Sequence, residues 1–153
     1  QGLHCQVCLD ARRRTSGDSR RPRQAPRAMS WADVEIAVQA VGRGEMVIVV
    51  DSSDRKDEGA LVFCADQATA ERMAFAIRHS AGIVYVAGDE ERFEHFGLHP
   101  ATQASTARFG TKAYLSTTYL PGSSSGLSAA DRATTARALC NRSNRPDFFS
   151  KTG

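Results

Sequence analysis

No apolar run in this 153-residue chain approaches the roughly 20 residues that a membrane-crossing helix needs, so a helical membrane span is excluded. No glycine-rich loop closes on Gly-Lys-Ser/Thr, which removes a P-loop. Paired histidines on one helix face are missing as well: His79, His95 and His99 stand apart, and Ser-His or Cys-His catalysis has no local support. Cysteine is scarce, with four in all. His4, Cys5 and Cys8 resemble half of a zinc site, but no second pair with matching spacing completes it. Cys64 and Cys140 read as small apolar side chains, and without a disulfide framework a reducing cytoplasm is the expected setting.

Acidic residues are few at one end only. Seven arginines against Asp10 and Asp18 give residues 1–29 a net charge of +5, while the whole chain carries +3. Residues 30–153 therefore carry −2, so the basic balance belongs to the leader and gives no reason to expect nucleic-acid binding by the body. The leader has no apolar periodicity and is rich in Arg, Ser, Gln and Pro, which reads as a disordered tail over 1–29. Its Asp10, Asp18 and weak amphipathic pattern argue against a transit peptide. Met29 directly precedes a helix start, so a natural start there and a genuine extension are both open.

Beyond the leader, strand and helix signals interleave without internal repeats, as in α/β or α+β domains. Ser30 opens a helix whose Val34, Ala37, Val38 and Val41 form one stripe, ended by Gly42 and Gly44. The continuous run Met46–Val50 predicts a strand covered on both faces, and Ala60–Cys64 a second strand. Thr69 caps a helix, Ile83–Ala87 is a third buried strand, and Asp89–Phe96 a short acidic helix. Ala113–Thr118 reads as a further strand. Ser128 opens a helix to about Cys140, and Pro146 begins one more turn. The abrupt end at Gly153 suggests a fragment of a longer protein.

Two stretches carry possible chemistry. Residues 51–58, Asp-Ser-Ser-Asp-Arg-Lys-Asp-Glu, join two apolar runs and crowd six charges into one connection. Arg55 offers a rigid donor fork for a phosphate or carboxylate, and Asp57 and Glu58 are hard oxygen ligands or an acid/base pair. A solvated turn with surface pairs is the plainer alternative. The second stretch, Gly122-Ser-Ser-Ser-Gly-Leu-Ser-Ala-Ala-Asp-Arg132, places Ser124, Ser125 and Ser128 before a helix N-terminus, a natural anion site or else a capped linker. Arg108-Phe-Gly-Thr111 adds a hydroxyl beside a glycine.

Taken together, Val47–Gly59, Met73–Ile83 and Ser125-Gly-Leu-Ser-Ala-Ala-Asp-Arg-Ala-Thr-Thr135 resemble the 3,4-dihydroxy-2-butanone 4-phosphate synthase family in order and spacing. The resemblance covers about residues 35–153 and implies an α+β fold, a three-layer α/β/α sandwich around a mixed sheet of the YrdC type. It implies conversion of D-ribulose 5-phosphate to L-3,4-dihydroxy-2-butanone 4-phosphate and formate in riboflavin biosynthesis, with Mg2+ or Mn2+. It also implies a homodimer, and a possible fusion to a GTP cyclohydrolase II domain. On this likeness residues 30–153 form a synthase-like domain lacking its C-terminal part. Arg137, Glu58 and Asp57 take the catalytic positions; Arg55, Thr111, Ser124, Ser125, Lys151 and Gly153 the substrate-binding ones. Two positions depart: Lys56 stands at the family's metal-binding Glu, and Ala60 at an Asp that binds substrate. A catalytically impaired homologue that binds a phosphosugar or serves as a subunit partner is the alternative.

Overall fold

The structure, a computed structural model, describes residues 6–10, 31–50, 59–102 and 112–151. Within them β1 (Gln6–Asp10), α1 (Trp31–Gly42), β2 (Val47–Val50), β3 (Gly59–Cys64), α2 (Ala70–His79), β4 (Val84–Ala87), α3 (Glu90–His95) and α4 (Ala129–Cys140) follow in chain order. Short 3-10 turns lie at Ala65–Gln67 and Pro146–Phe148. The strands form one four-stranded sheet in the order β2-β3-β1-β4. All three pairings are antiparallel, so the described sheet is antiparallel rather than mixed.

The sheet departs from the reading of a disordered tail at residues 6–10, the part of 1–29 that lies among the described residues. Gln6–Asp10 is an inner strand, hydrogen-bonded to β3 on one side and β4 on the other. Val7 explains its place: it is fully buried, paired with Phe63 and Val86, and belongs to the main core with Leu61, Met73 and Ala76. The arginines around this strand dominate the composition of the leader and mask two apolar residues, Val7 and Leu9, at strand spacing.

Elsewhere local signals hold. Thr69 caps α2, its hydroxyl accepting from the Arg72 N–H at 3.2 Å. Asp89 caps α3 through the Arg92 N–H at 2.8 Å, and Ser128 caps α4 through the Asp131 N–H at 3.0 Å. Helices α2 and α4 pack on each other and bury Met73, Ala76, Ala133 and Ala136 against Leu61 and Phe63. A second core joins Phe93, Phe96 and Leu98 to Leu139 and Phe149, with the Phe96 and Phe149 rings 4.5 Å apart. Arg92, 9% exposed, crosses between the cores' helices and donates to the Leu139 and Cys140 carbonyls at 3.2 and 2.9 Å. That places a cation at the C-terminus of α4, where unpaired carbonyls and the helix dipole favour one.

Three expectations fail for a common reason: an apolar run records hydrophobicity, not what covers it. Strand β2 is an edge of the described sheet, and Ile48, Val49 and Val50 are exposed rather than covered on both faces. On α1 the buried contact is Ala40, while Val34 and Val38 of the expected stripe are exposed. Strand β4 borders the sheet on its other side, with Tyr85 exposed. A fourth expectation fails separately: residues 113–118 form no strand, and isolated bridges Pro100–Tyr114 and Tyr119–Phe149 take its place. No described helix is long and apolar enough to cross a membrane.

Candidate functional site

The register of the sheet decides which loops share an end. Val50 pairs with Gly59, so the connection 51–58 leaves and re-enters the sheet at that end. Because β3 and β4 both run antiparallel to β1, they are parallel to each other, and the start of β4 lies at the same end. Arg132 of α4 donates to the Gly82 carbonyl at 2.9 Å, just before β4. It also donates to the Leu127 carbonyl at 3.0 Å. The first turn of α4 and the hydroxyl loop before it are thereby tied to the end from which the charged connection departs.

The hydroxyl loop is itself an anion site, and the anion is the chain's own. The Asp131 carboxylate accepts from the Ser124 hydroxyl at 2.9 Å, the Ser124 N–H at 3.2 Å and the Gly126 N–H at 3.1 Å. These bonds, led by the Ser124 hydroxyl, hold the Asp131 carboxyl below the usual carboxylate range. Ser124 has thus committed both its donors to Asp131. The Ser125 hydroxyl accepts from the Leu127 N–H at 3.3 Å and keeps its own proton free to donate outward from an exposed position. Ser123 Oγ is buried and has no partner among the described residues. Gly126 takes φ +76°, and a side chain there would strike Thr118. The backbone of Thr118 in turn pairs with Ser150, so Lys151 follows directly from a strand of contacts beside the loop.

Asp131 makes a direct prediction. Replacement by Ala strands three donors and is expected to lower the melting midpoint by several degrees, with Asn recovering part of the loss. A carboxyl depressed in the folded chain stabilises fully above its unfolded value, and that contribution is lost as pH falls through the folded one. Wild-type stability should therefore decline below about pH 4, more steeply than that of Asp131→Asn. Parallel pH profiles for the two proteins would dispose of the clamp.

The remaining candidates divide. Arg137 is exposed and donates to the Ala68 carbonyl and, at 3.1 Å, to the Thr134 hydroxyl. Ala68 follows the end of β3, roughly 17 Å along that strand from Gly59. Arg137 consequently contacts the opposite end of the sheet from the hydroxyl loop and is not brought together with it. Lys151 Nζ donates to the Phe96 carbonyl at 2.5 Å, just past the end of α3. Ala60 lies in β3, half-buried, paired with Val49. Arg55, Lys56, Asp57, Glu58, Thr111 and Gly153, with Cys5, lie outside the described residues. Sequence reasoning missed the clamp of Asp131 and the strut of Arg132. The available signal was an acid three residues after a capping serine, which reads as an ordinary capped start.

A cleft of about 820 Å³ runs along the outer side of β4, between Tyr85, Phe93, Tyr114 and Leu139. Arg132 and Thr135 reach its wall, but its lining is mainly apolar and includes neither Ser124 nor Ser125. The exposed Lys112–Glu90 pair, at 2.6 Å, also borders it. Among the described residues no three His, Cys, Asp or Glu side chains converge as metal ligands.

Comparison with known proteins decides the family. The family model described as 3,4-dihydroxy-2-butanone 4-phosphate synthase matches residues 35–153. This chain belongs to that family. The 3,4-dihydroxy-2-butanone 4-phosphate synthase of Agrobacterium fabrum is 40% identical over 125 residues, 82% of this chain and 59% of that protein. A protein of Arabidopsis thaliana named bifunctional riboflavin biosynthesis protein RIBA 1, chloroplastic, is 35% identical over 80% of this chain and 23% of its own length. A crystal structure of a 3,4-dihydroxy-2-butanone 4-phosphate synthase in complex with two magnesium ions superposes with a TM-score of 0.73. It is 31% identical and covers 78% of this chain and 56% of that one. The chain thus spans a little under two thirds of the length of its synthase relatives, and some relatives are far longer.

Proposed function

We propose that this chain is the synthase segment of an enzyme that converts D-ribulose 5-phosphate to L-3,4-dihydroxy-2-butanone 4-phosphate and formate for riboflavin synthesis. One arrangement carries the reading beyond family membership: the hydroxyl loop, clamped by Asp131 and strutted by Arg132, sits at the sheet end where Val50 and Gly59 launch residues 51–58. A phosphosugar needs donors for its phosphate and acid/base groups for its carbon chain, and these two loops supply both kinds. In this reading the Arg55 fork and the hydroxyls of Ser125 and Thr111 bind the substrate, and Ser124 acts indirectly, by fixing the loop. Asp57 and Glu58 move the protons that form the enediol and accompany loss of water, skeletal shift, return of one water and release of formate. The transformation needs no oxidant, because formate and the four-carbon phosphate together contain the atoms of the substrate. Arg137 and Lys151 serve by bracing the Ala68 and Phe96 carbonyls.

The metal does not fit as readily. Lys56 brings a cation to the position where the family carries a metal-binding Glu, and an ammonium there repels the ion it should bind. The exposed apolar side chains of β2 and α1, Ile48 and Val50 with Ile36 and Val38, suit a homodimer contact, and a three-layer sandwich would cover them in part. A cytoplasmic setting accords with the scarcity of cysteine, four in the whole chain. The test is formate release: the full-length protein with ribulose 5-phosphate and magnesium should exceed the protein-free blank. Formate at the blank level overturns turnover. If ribulose 5-phosphate nonetheless raises the melting temperature, the protein is a phosphosugar-binding homologue.

A further inference from the structure

We infer that Arg132 is a positioning residue for substrate binding, acting through the Ser125 hydroxyl. A chain of hydrogen bonds connects the two. The Ser125 hydroxyl accepts from the Leu127 N–H at 3.3 Å, and the Leu127 carbonyl accepts from Arg132 Nε at 3.0 Å. Arg132 Nη1 donates to the Gly82 carbonyl at 2.9 Å, and the Gly82 N–H donates to the Ser80 hydroxyl at 3.1 Å. One guanidinium therefore spans from the hydroxyl loop to the turn between α2 and β4. Both anchored nitrogens face backbone carbonyls, so the effect of Arg132 on a ligand of Ser125 is indirect. The inference rests on the proposed role of Ser125 for its binding test, and on the loop geometry alone for its structural one.

Packing does little to hold Leu127. Its side chain is 71% exposed, more than any other large apolar side chain among the described residues, and it joins neither core cluster. Gly126 before it takes φ +76°, a conformation that only glycine adopts readily, and lends no stiffness. Asp131 fixes the preceding part of the loop, at the Ser124 and Gly126 N–H groups. The direction in which Ser125 is presented thus follows the Leu127 backbone, and that backbone follows Arg132. Helix α4 gains nothing electrostatically from this arginine, its fourth residue, because the dipole disfavours a cation near a helix start. The advantage is geometric. A planar fork meets two carbonyls in one fixed relation, which an ammonium on a flexible stem does not reproduce.

A double-mutant cycle on the full chain tests it, read as the affinity for ribulose 5-phosphate by calorimetry. Arg132→Gln and Ser125→Ala should each weaken binding about tenfold, and the double variant no more than about twofold further than either. Where formate is released, the loss should fall on KM, with kcat changed by less than about twofold. Arg132→Lys keeps the charge without the fork and should stand nearer to Gln than to wild type. It also carries the cycle if the Gln variant fails to fold. Additive losses, or a Lys variant equal to wild type, overturn the inference. Amide exchange followed by NMR reads the same link without substrate. Arg132→Gln should speed exchange at Leu127 by about fivefold and change Ser124 and Gly126 by less than about twofold. That pattern, beside a wild type that neither binds nor turns over the sugar phosphate, upholds the positioning of the loop and removes the synthase reading. Unchanged exchange at Leu127 overturns the positioning, whatever the turnover.

Discussion

Changing Lys56 to Glu and Ala60 to Asp together should raise magnesium-dependent formate release from ribulose 5-phosphate by on the order of 10²-fold. The first change reverses local charge by two units at the position where the family carries a metal-binding carboxylate. A unit charge acting at 4 Å near a protein surface is worth about 4 kcal/mol before screening. Solvent and salt reduce that, and about 3 kcal/mol surviving would already account for a hundredfold. The second change returns a carboxylate where β3 now presents a methyl group. Ala60 is half-buried at the strand's beginning, so a carboxylate there keeps access to water and does not incur the full cost of a buried charge. Magnesium titration by calorimetry provides a readout separate from turnover. Lys56→Gln, which removes the repulsion without adding a ligand, should lie between wild type and the double variant. If the double variant neither binds magnesium more tightly nor releases more formate, these two positions do not explain the departure from the family pattern.

The same two positions show what a sequence can and cannot disclose. Elements governed by local chemistry were legible: Thr69, Asp89 and Ser128 each start their helix through a side-chain bond to the third residue on. Strand β3 was legible because Ala60–Cys64 is apolar on both faces and Leu61 to Cys64 are indeed buried. Strand β2 has the same kind of composition and is exposed, since its coverage depends on what lies beside it rather than on its own residues. Strand β1 was hidden because five residues with two apolar side chains cannot outweigh an arginine-rich background; only the pairing with Phe63 and Val86 gives Val7 its meaning. In the site, Ser124 and Ser125 look alike in sequence, and their roles separate only when Asp131 folds back between the Ser124 and Gly126 donors. Arg137 and Arg132 are both on α4 within a few residues of the family's specific block, but their side chains reach opposite ends of the sheet. Spacing along a helix places a residue on a face, while the carbonyl it meets is set by tertiary structure.

Phe63→Ala should be the most damaging single truncation in the described core, lowering stability by about 3–5 kcal/mol. Phe63 has no exposed surface and is among the largest side chains fully buried in the chain. It shares the core with Val7 of the inner strand and with Met73 and Ala76 of α2, so its loss leaves a cavity bordered by two other elements. Those walls cannot close together without breaking the β1–β3 register, which is why partial relaxation will recover little. Against a total of about 5–15 kcal/mol for a domain, the loss is a large fraction, and the melting midpoint should fall by roughly 10–20 °C. Phe75→Ala removes the same atoms from a half-exposed position where the ring rests on His79 at 4.4 Å. It should cost no more than about 1 kcal/mol. Circular dichroism melts of the two variants side by side separate burial from residue type. If both melt within two or three degrees of wild type, Phe63 is not the hinge between β1, β3 and α2. The inner strand would then have to be held by its backbone bonds alone.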